Sequence, residues 1–282
     1  MKIAILFGGQ SAEHNVSRKS AYSVIKNIDT ELFEIVTIGI TKKGMWLPYY
    51  GAAEAIPDGS WEKSIAYKAQ NPIGNCLDII SSCDVVFPVL HGQNGEDGTV
   101  QGLLELLGVP YVGCGILSSA TCMDKFCVKS ILRYAKIPQC RYVAVYRHVL
   151  EQNINAYNAE IAEKIGYPCF VKPAGGGSSV GVHKVKTEAK LHEALLDAQK
   201  FDRKVLVEEF IDGREIECSF FGYINAKAAA PGEIIPSKEF YDYEDKYIKN
   251  ESRQCIPADI PPETAQSIKN LALSAYNALD CS

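Results

Sequence analysis

The segment best suited to chemistry is a glycine-rich stretch, VKPAGGGSSVGV, at Val171–Val182. Its consecutive glycines leave backbone N–H groups exposed, and such a loop can wrap the oxygens of a phosphate group. Lys172 stands just before the glycines and can supply positive charge. The loop residues expected at the phosphates are Gly177, Ser178 and Ser179. Because the G-K-[ST] triplet of a Walker A loop is absent, we interpret this as a phosphate loop of another type, with a flexible hairpin tip as the alternative.

A second candidate is the turn HGQNGEDG at His91–Gly98, which follows an apolar strand. His91 stands at the tip of that strand, where either a substrate contact or a structural role is expected. Glu96 and Asp97 suit the N-terminus of the helix that follows, because its dipole favours negative charge.

A third candidate is VLVEEFIDGREIE, at Val205–Glu217, where Glu208 and Glu209 end an apolar strand. Strand-end backbone and carboxylates can hydrogen-bond an adenine amine and ribose hydroxyls. A solvated hairpin end is the alternative for these acids.

A fourth candidate is FYDYEDKY, at Phe240–Tyr247, which places three tyrosines and a lysine within a long polar loop. Disordered loops are poor in aromatic residues, so this segment is expected to fold over something. A loop of this length inside a compact domain is often an active-site lid.

The turn GCGILS, at Gly113–Ser118, loosely matches the dinucleotide-binding pattern G-x-G-x-x-G. That pattern requires an acid about 20 residues later to hold the ribose. Residues 126–150 contain neither Asp nor Glu, which disfavours a nicotinamide cofactor and favours a tight turn between domains.

Composition excludes several classes of protein. The 282 residues carry 29 Lys and Arg against 34 Asp and Glu, a net charge of -5 that disfavours a general nucleic-acid or membrane-surface binder. No apolar run approaches the roughly 18 residues of a membrane helix. Ten cysteines without a C-x-x-C motif are typical of reduced core thiols, so a cytoplasmic location is expected.

The first third of the chain alternates apolar strands with helices, which predicts an α/β domain built on a parallel sheet. The candidate turns would lie at the carboxyl ends of its strands. Strands are predicted at Lys2–Phe7, Phe33–Ile40 and Asp84–Leu90, and helices at Ser17–Ile28, with Ser17 as N-cap, and Gly98–Leu107.

From about residue 115 the pattern becomes α+β, which predicts further domains. Gly232–Arg253 is predicted to be mostly a polar loop. Helices are predicted at Ser118–Tyr134, at Val149–Ile165 and at Glu263–Leu279, the last with one apolar face. Another helix is predicted after Thr187, its N-cap, with Leu191, Ala194, Leu195 and Ala198 on one face. Strands are predicted at Arg141–Tyr146, Cys169–Lys172, Val182–Val185, Lys204–Phe210 and Glu215–Gly222.

An ordered set of segments covering essentially the whole chain resembles the D-alanine-D-alanine ligases of the ATP-grasp superfamily. The segments are GGQSAEHNVS, HGQNGEDGTVQGLLELLGVPYVG, MDK, VKPAGGGSSVGV, VEEFIDGREI and FYDYEDKY. The resemblance implies ATP-dependent ligation of two D-alanines through an acyl phosphate, for peptidoglycan synthesis. It also implies a parallel α/β domain at 1–114, a central ATP-grasp subdomain at 115–211 and a C-terminal subdomain at 212–282, with ATP between the last two.

The resemblance also implies roles for nucleotide-binding residues. Lys125 and Lys172 would hold the ATP phosphates, and Lys246 would reach the transferred phosphate as the lid closes. The adenosine site would be lined by Glu208, Glu209, Ile211 and Glu215, with Glu215 on the ribose.

The amino-acid substrates would meet other residues. Glu13 would face the ammonium of the first D-alanine, and His91 would lie beside the reacting carboxylate. Ser178 would link Glu13 to Tyr247. A homodimer is implied, without nucleic-acid or membrane partners.

The family also uses magnesium, or manganese, bound by acids in a segment that follows the last helix seen here. Those ligands are expected beyond Ser282, so we expect a truncated chain with an incomplete C-terminal subdomain. Two alternatives stay open: a D-alanine-D-serine or D-alanine-D-lactate ligase of vancomycin-resistance type, and an inactive nucleotide-binding fragment.

Overall fold

The computed structural model describes residues 1–64, 72–150, 154–177, 179–236 and 252–282. It divides into two compact units, Met1–Ala120 and Thr121–Ser282, here called unit 1 and unit 2. The three-domain division expected from the sequence stays a prediction.

Unit 1 is built on a four-stranded sheet in the order β3-β2-β1-β4. Strand β1 is parallel to β2 and β4, as the sequence predicts, whereas β3 is antiparallel to β2. The predicted parallel pairing is therefore confirmed for the three predicted strands, and β3, which was not predicted, adds an antiparallel edge; it contains Pro48, and proline is tolerated on edge strands. The strands are β1 (Lys2–Gly8), β2 (Glu34–Ile40), β3 (Trp46–Tyr49) and β4 (Val85–Pro88).

Helices cover both faces of this sheet, which explains the continuous apolar sequence of β1. Leu6 belongs to the apolar cluster on one face, and Ile5 and Phe7 belong to the cluster on the other. The helices of unit 1 are α1 (His14–Asn27), α2 (Ala55–Asp58), α3 (Trp61–Ser64), α4 (Pro72–Ser81) and α5 (Thr99–Leu107), and α6 (Ile116–Met123) begins there.

Helix α1 begins at His14, so the prediction that Ser17 caps it is wrong. Ser17 is fully buried inside the helix. Its hydroxyl accepts a hydrogen bond from the Gly8 N–H at 2.8 Å and donates one to the Val89 carbonyl. The side chain thus joins the carboxyl ends of two neighbouring strands instead of a helix terminus.

Unit 2 contains an antiparallel sheet in the order β5-β8-β6-β7, with its apolar core against helices. The predicted buried face of the helix after residue 190 is confirmed. Thr187, however, makes no side-chain capping bond and precedes a short 3-10 helix, Glu188–Lys190. The elements are β5 (Tyr142–Tyr146), α8 (Arg147–Leu150), α9 (Ile154–Lys164), β6 (Cys169–Pro173), β7 (His183–Val185), α10 (Leu191–Ala198) and β8 (Lys204–Glu209).

The long helix predicted at Ser118–Tyr134 is two helices, α6 and α7 (Lys125–Tyr134). Asp124 separates them in an extended conformation. Its carboxylate accepts hydrogen bonds from the backbone N–H groups of Phe126 and Cys127, at 2.9 and 3.1 Å, and so starts a new helix at Lys125.

The last part of unit 2 contains a second sheet, in the order β13-β12-β9. The long loop predicted at Gly232–Arg253 is therefore wrong at both ends, where β12 and β13 lie; residues 237–251 are outside the described part. The remaining elements are β9 (Glu215–Glu217), β10 (Phe220–Phe221), β11 (Lys227–Ala228), β12 (Gly232–Ile235), β13 (Arg253–Cys255) and α11 (Pro262–Ala278).

Two composition-based expectations can be compared with the structure. Only Cys76, Cys83 and Cys169 are buried, so the core-thiol interpretation is wrong for the other cysteines. Burial raises the pKa of Cys76 and Cys169 to about 11, as expected for inert thiols. Within the described ranges, no helix is both long and apolar enough to cross a membrane.

Candidate functional site: a lysine cluster in unit 2 and an acidic turn in unit 1

The glycine-rich loop follows β6 and is flanked by two lysines. Lys172 is the second-to-last residue of strand β6, and Lys125 is the first residue of α7. The Lys125 ammonium donates to the Gly176 carbonyl at 2.7 Å, and its backbone N–H donates to the Ala174 carbonyl at 2.9 Å. The structure therefore brings both lysines to this loop, and their expected role at the ATP phosphates stays a prediction.

Left-handed backbone conformations shape the loop. Gly176 has a φ of 97° and Gly181 a φ of 69°, and Ser179 also has a positive φ, at 60°. A Cβ at Gly176 would meet nothing within 4 Å, so its surroundings leave open space. Such space beside two ammonium groups suits a bulky anion such as a phosphate group.

The electrostatics show that the two ammonium groups are neighbours. Burial lowers the pKa of Lys125, and the positive charge of Lys172 lowers it further. The carboxylates of Glu208 and Asp124 act in the opposite direction. Two neighbouring cations suit an anionic ligand, and the acids partly offset their charge.

Glu208, on strand β8, lies between two lysine side chains from other elements. Its side chain is buried, with Oε2 2.6 Å from Lys172 Nζ and Oε1 2.9 Å from Lys129 Nζ. Burial would raise the pKa of Glu208, but the two ammonium groups outweigh it and keep the pKa low. Both carboxylate oxygens are thus engaged with lysines, and the expected contact of Glu208 with adenosine stays a prediction.

Lys129 is a residue that sequence reasoning missed. It follows Lys125 by four positions on α7, so both side chains project from one face of the helix. That spacing could have been recognised from the sequence. The burial of Lys129 and its acidic partner on β8 were not, because they depend on the tertiary fold.

Glu209 points to a different partner. Its carboxylate accepts hydrogen bonds from the backbone N–H and the Nε of Arg141, each at 2.6 Å. The N–H of Glu209 in turn donates to the Arg141 carbonyl at 3.1 Å. This pairing holds the end of β8 against β5, and the expected role of Glu209 at adenosine stays a prediction.

Two other residues expected at adenosine line one cavity of about 490 Å³. Ile211 and Glu215 lie there, and the Ile211 side chain is 63% exposed. Phe170 and Phe210, with ring centroids 6.1 Å apart, supply aromatic walls. Flat aromatic and aliphatic surfaces with a carboxylate at one edge suit a purine base and its ribose.

In unit 1, Glu13 lies at the turn after β1. It immediately precedes helix α1 and is 9% exposed. Its carboxylate packs so closely on Gly92 that a Cβ there would lie 2.3 Å from Glu13 Oε2. Gly92 also has a φ of 71°, so glycine is required at this position. The turns after β1 and β4 therefore meet, as expected for neighbouring strand ends.

His91 is held between a hydroxyl and an acid. Its Nε2 lies 3.1 Å from Ser20 Oγ, and its Nδ1 lies 3.8 Å from Glu96 Oε1. The nearby Glu96 carboxylate raises the pKa of His91, although burial opposes the shift. Glu13 raises it further by its charge. Sequence reasoning missed Ser20, which is distant from His91 in the chain.

The two acids of the HGQNGEDG turn have different roles. Asp97 accepts from the N–H of Thr99, the first residue of α5, at 3.1 Å, as expected near a helix N-terminus. Glu96 instead accepts from the Gly92 N–H at 2.7 Å and lies 3.8 Å from His91, and its expected interaction with the helix dipole stays a prediction.

Other predicted site residues lie outside the described residues. These are Ser178, Lys246 and Tyr247, together with the predicted lid, and their roles stay predictions. In the part of the chain that the structure covers, no three His, Cys, Asp or Glu side chains are grouped as metal ligands. The implied magnesium or manganese ion, whose ligands are expected beyond Ser282, stays a prediction.

Two family models match the chain. The D-ala D-ala ligase N-terminus model matches residues 2–114, and the D-ala D-ala ligase C-terminus model matches residues 131–282. Among curated relatives, the D-alanine--D-alanine ligase of Clostridium acetobutylicum is 50% identical over 281 residues, covering 100% of this chain and 81% of the relative. That of Acetivibrio thermocellus is 48% identical over 303 residues, with the same two coverages.

Solved structures agree with this fold. The VanG D-Ala:D-Ser ligase from Enterococcus faecalis has a TM-score of 0.85 and 39% identity, covering 100% of this chain and 83% of that one. The D-alanine-D-alanine ligase from Coxiella burnetii has a TM-score of 0.80 and 31% identity, with coverages of 100% and 79%. With a lysine-flanked glycine loop and an acidic strand-end turn where the family motifs predict them, the chain belongs to the D-alanine-D-alanine ligase family, and the ATP-grasp fold class predicted from the sequence is confirmed.

Proposed function

We propose that this protein joins two D-alanine molecules to D-alanyl-D-alanine at the expense of ATP, for peptidoglycan precursor synthesis. The observation that carries the proposal is the whole-chain similarity to relatives named D-alanine--D-alanine ligase. The lysine cluster beside the glycine loop supports it, because it can neutralise nucleotide phosphates.

The proposed chemistry has two steps. A carboxylate oxygen of the first D-alanine attacks the γ-phosphorus of ATP, which releases ADP and forms an acyl phosphate. The amine of the second D-alanine then attacks the acyl carbon, loses a proton and expels inorganic phosphate as the peptide bond forms. Phosphoryl transfer of this kind depends on positioning and on neutralising charge.

The described residues have distinct tasks in this proposal. Lys125 and Lys172 bind phosphate oxygens, and the cavity containing Ile211 and Glu215 receives adenosine. Glu13 attracts the ammonium of the first D-alanine, and His91 lies beside its carboxylate. Protonated His91 would be attracted to that carboxylate, and its raised pKa favours the protonated form.

A specific observation also favours D-serine as a second candidate substrate. The Enterococcus faecalis structure named as a D-Ala:D-Ser ligase is similar over the whole of this chain. Phosphate release should be measured with ATP and D-alanine alone, then with D-serine or D-lactate added. Faster release with D-alanine alone, with the dipeptide seen by mass spectrometry, is the expected result; a mixed product in excess would identify the alternative.

Binding of ATP is tested separately from catalysis. Lys172→Ala should weaken ATP binding about 10- to 100-fold, because a charge-assisted hydrogen bond contributes roughly 1.5–3 kcal/mol. Lys190→Ala is the matched control, since Lys190 forms an exposed ion pair with Glu193 elsewhere in unit 2. Calorimetric titrations that give equal ATP affinities for Lys172→Ala and the wild type would contradict the assignment. The implied cytoplasmic location, homodimer and metal ion stay predictions.

A further inference from the structure

The lysine cluster consists of Lys125, Lys129 and Lys172, and Lys129 has no task in the proposed reaction. Lys129 is buried, with its side chain 11% exposed. Its ammonium group contacts Glu208 Oε1, while Lys172 contacts the other carboxylate oxygen, Oε2. Glu208 is therefore shared by a lysine at the phosphate loop and a lysine behind it.

The charges of the cluster show how the sharing of Glu208 affects the charge near the phosphate loop. Glu208 paired with Lys172 alone would form a neutral pair and cancel the charge that Lys172 offers to phosphates. With Lys129 included, the three groups carry one net positive charge. Lys125, whose pKa responds to both Lys172 and Glu208, is a further cation at this loop, and Asp124 and Asp202 partly offset its charge.

Several contacts fix Lys129 in place. Its ammonium lies 3.1 Å from Cys140 Sγ and 5.0 Å from the centre of the Tyr142 ring. Its backbone carbonyl accepts from Gln139 Nε2 at 2.8 Å. Burial lowers the pKa of Lys129, but Glu208 outweighs burial and leaves the pKa raised, so the group is a cation.

We propose that Lys129 is a positioning residue for the ATP phosphates, which acts through Glu208: by pairing with one carboxylate oxygen it offsets the negative charge of Glu208, so that the group keeps a net positive charge at Lys172. Lys129 does not itself touch the nucleotide, because its ammonium is enclosed by Glu208, Cys140 and Tyr142. The proposal rests on the proposed function in that ATP is the ligand of this cluster.

The test compares ATP with adenosine, which lacks the phosphates. Lys129→Met should weaken ATP binding about 10- to 100-fold in calorimetric titration, the range expected for a hydrogen bond to a charged group. It should change adenosine affinity, measured by competition, less than about twofold, because the cavity at Ile211 is untouched. Lys129→Arg should keep most ATP affinity, and Lys200→Met, which removes an exposed ion pair with Asp197, is the matched control.

The double variant Lys129→Met/Glu208→Gln separates positioning from simple stabilisation. Removing the charge of Glu208 frees Lys172, so the ratio of ATP affinity to adenosine affinity should recover to within about fivefold of the wild type, a ratio in which any contact of Glu208 with adenosine cancels. This variant also keeps the test decisive if Lys129→Met does not fold, because it buries no unpaired carboxylate. Three results would overturn the proposal: unchanged ATP affinity in Lys129→Met, an equal loss for adenosine, or a double variant that remains as weak as the single one. A wild-type chain that binds no ATP would instead overturn the proposed function itself.

Discussion

Asp124 connects the fold of unit 2 to the position of Lys125, and its replacement by alanine should be costly. The substitution removes the acceptor for the N–H groups of Phe126 and Cys127, and loss of an N-cap costs about 1 kcal/mol. It also removes the partner of Lys204, whose side chain is only 14% exposed. Because Asp124 is itself 30% exposed, solvent screens this ion pair, and its loss adds about 1–2 kcal/mol. We expect Asp124→Ala to lower the free energy of unfolding by about 2–3 kcal/mol.

Asp124→Asn separates the two contributions. The amide oxygen can still accept from the two N–H groups, so only the ion pair with Lys204 is lost, about 1–2 kcal/mol. Urea unfolding followed by circular dichroism measures both variants. The control is Glu193→Ala, which removes an exposed ion pair with Lys190 and should cost less than about 1 kcal/mol.

The pH dependence provides an independent check. Burial acts to raise the pKa of Asp124, but Lys204 and the two N–H groups outweigh it, and the pKa lies below its ordinary value of 3.8. A depressed carboxyl pKa contributes stability above 3.8 that is lost as the pH falls through the folded-state value. The difference between wild type and Asp124→Asn should therefore shrink in acid. An alanine variant as stable as the wild type, or an asparagine variant no better than alanine, would refute this account of the helix start.

Three further substitutions follow from the described contacts. Gly8→Ala should destabilise unit 1 by more than about 1 kcal/mol in urea unfolding, because Gly8 has a φ of 89° and a Cβ would lie 2.2 Å from the Ile40 carbonyl oxygen. An unchanged free energy of unfolding would contradict this close approach. Leu195→Ala should cost about 2–5 kcal/mol by the same method, since Leu195 is fully buried in the core of unit 2, and a cost below about 1 kcal/mol would show that it is not. His91→Gln should reduce the melting temperature more at pH 5.5 than at pH 8.5, because the raised pKa of His91 makes its pairing with Glu96 stabilising at low pH and lost as the pH rises; equal effects at both values would contradict this pairing.

Strand β1 shows what local sequence can predict about the fold. Its residues are apolar in succession because helices cover both faces of the sheet, so the pattern itself indicates a buried parallel strand. Strand β3 was not predictable in this way. It has four residues, includes Pro48, and exists only because it pairs with β2 at the edge.

The residues of the candidate site also differ in how far the sequence predicts them. Lys125 and Lys172 were predictable because they adjoin a glycine loop and match a family motif. The roles of Lys129, Ser20 and Glu96 depend on partners from other elements, and no periodicity in the sequence encodes those pairings. Ser17 illustrates the same limit, since a hydroxyl next to a predicted helix suits a cap, yet here it joins the ends of β1 and β4.

The sign of the charge at the acidic turn of unit 1 and at the lysine cluster of unit 2 gives the proposed reaction a simple physical basis. In unit 1, Glu13 and Glu96 surround His91, so this turn suits a zwitterion whose ammonium and carboxylate both need partners. In unit 2, Lys129 and Lys172 share the Glu208 carboxylate and Lys125 lies nearby, a positive surplus suited to nucleotide phosphates. The whole chain nevertheless carries a net charge of -5. Overall charge therefore says little about the nucleotide, whereas burial of Glu208 and Lys129 concentrates positive charge at the glycine-rich loop, which can surround a phosphate group.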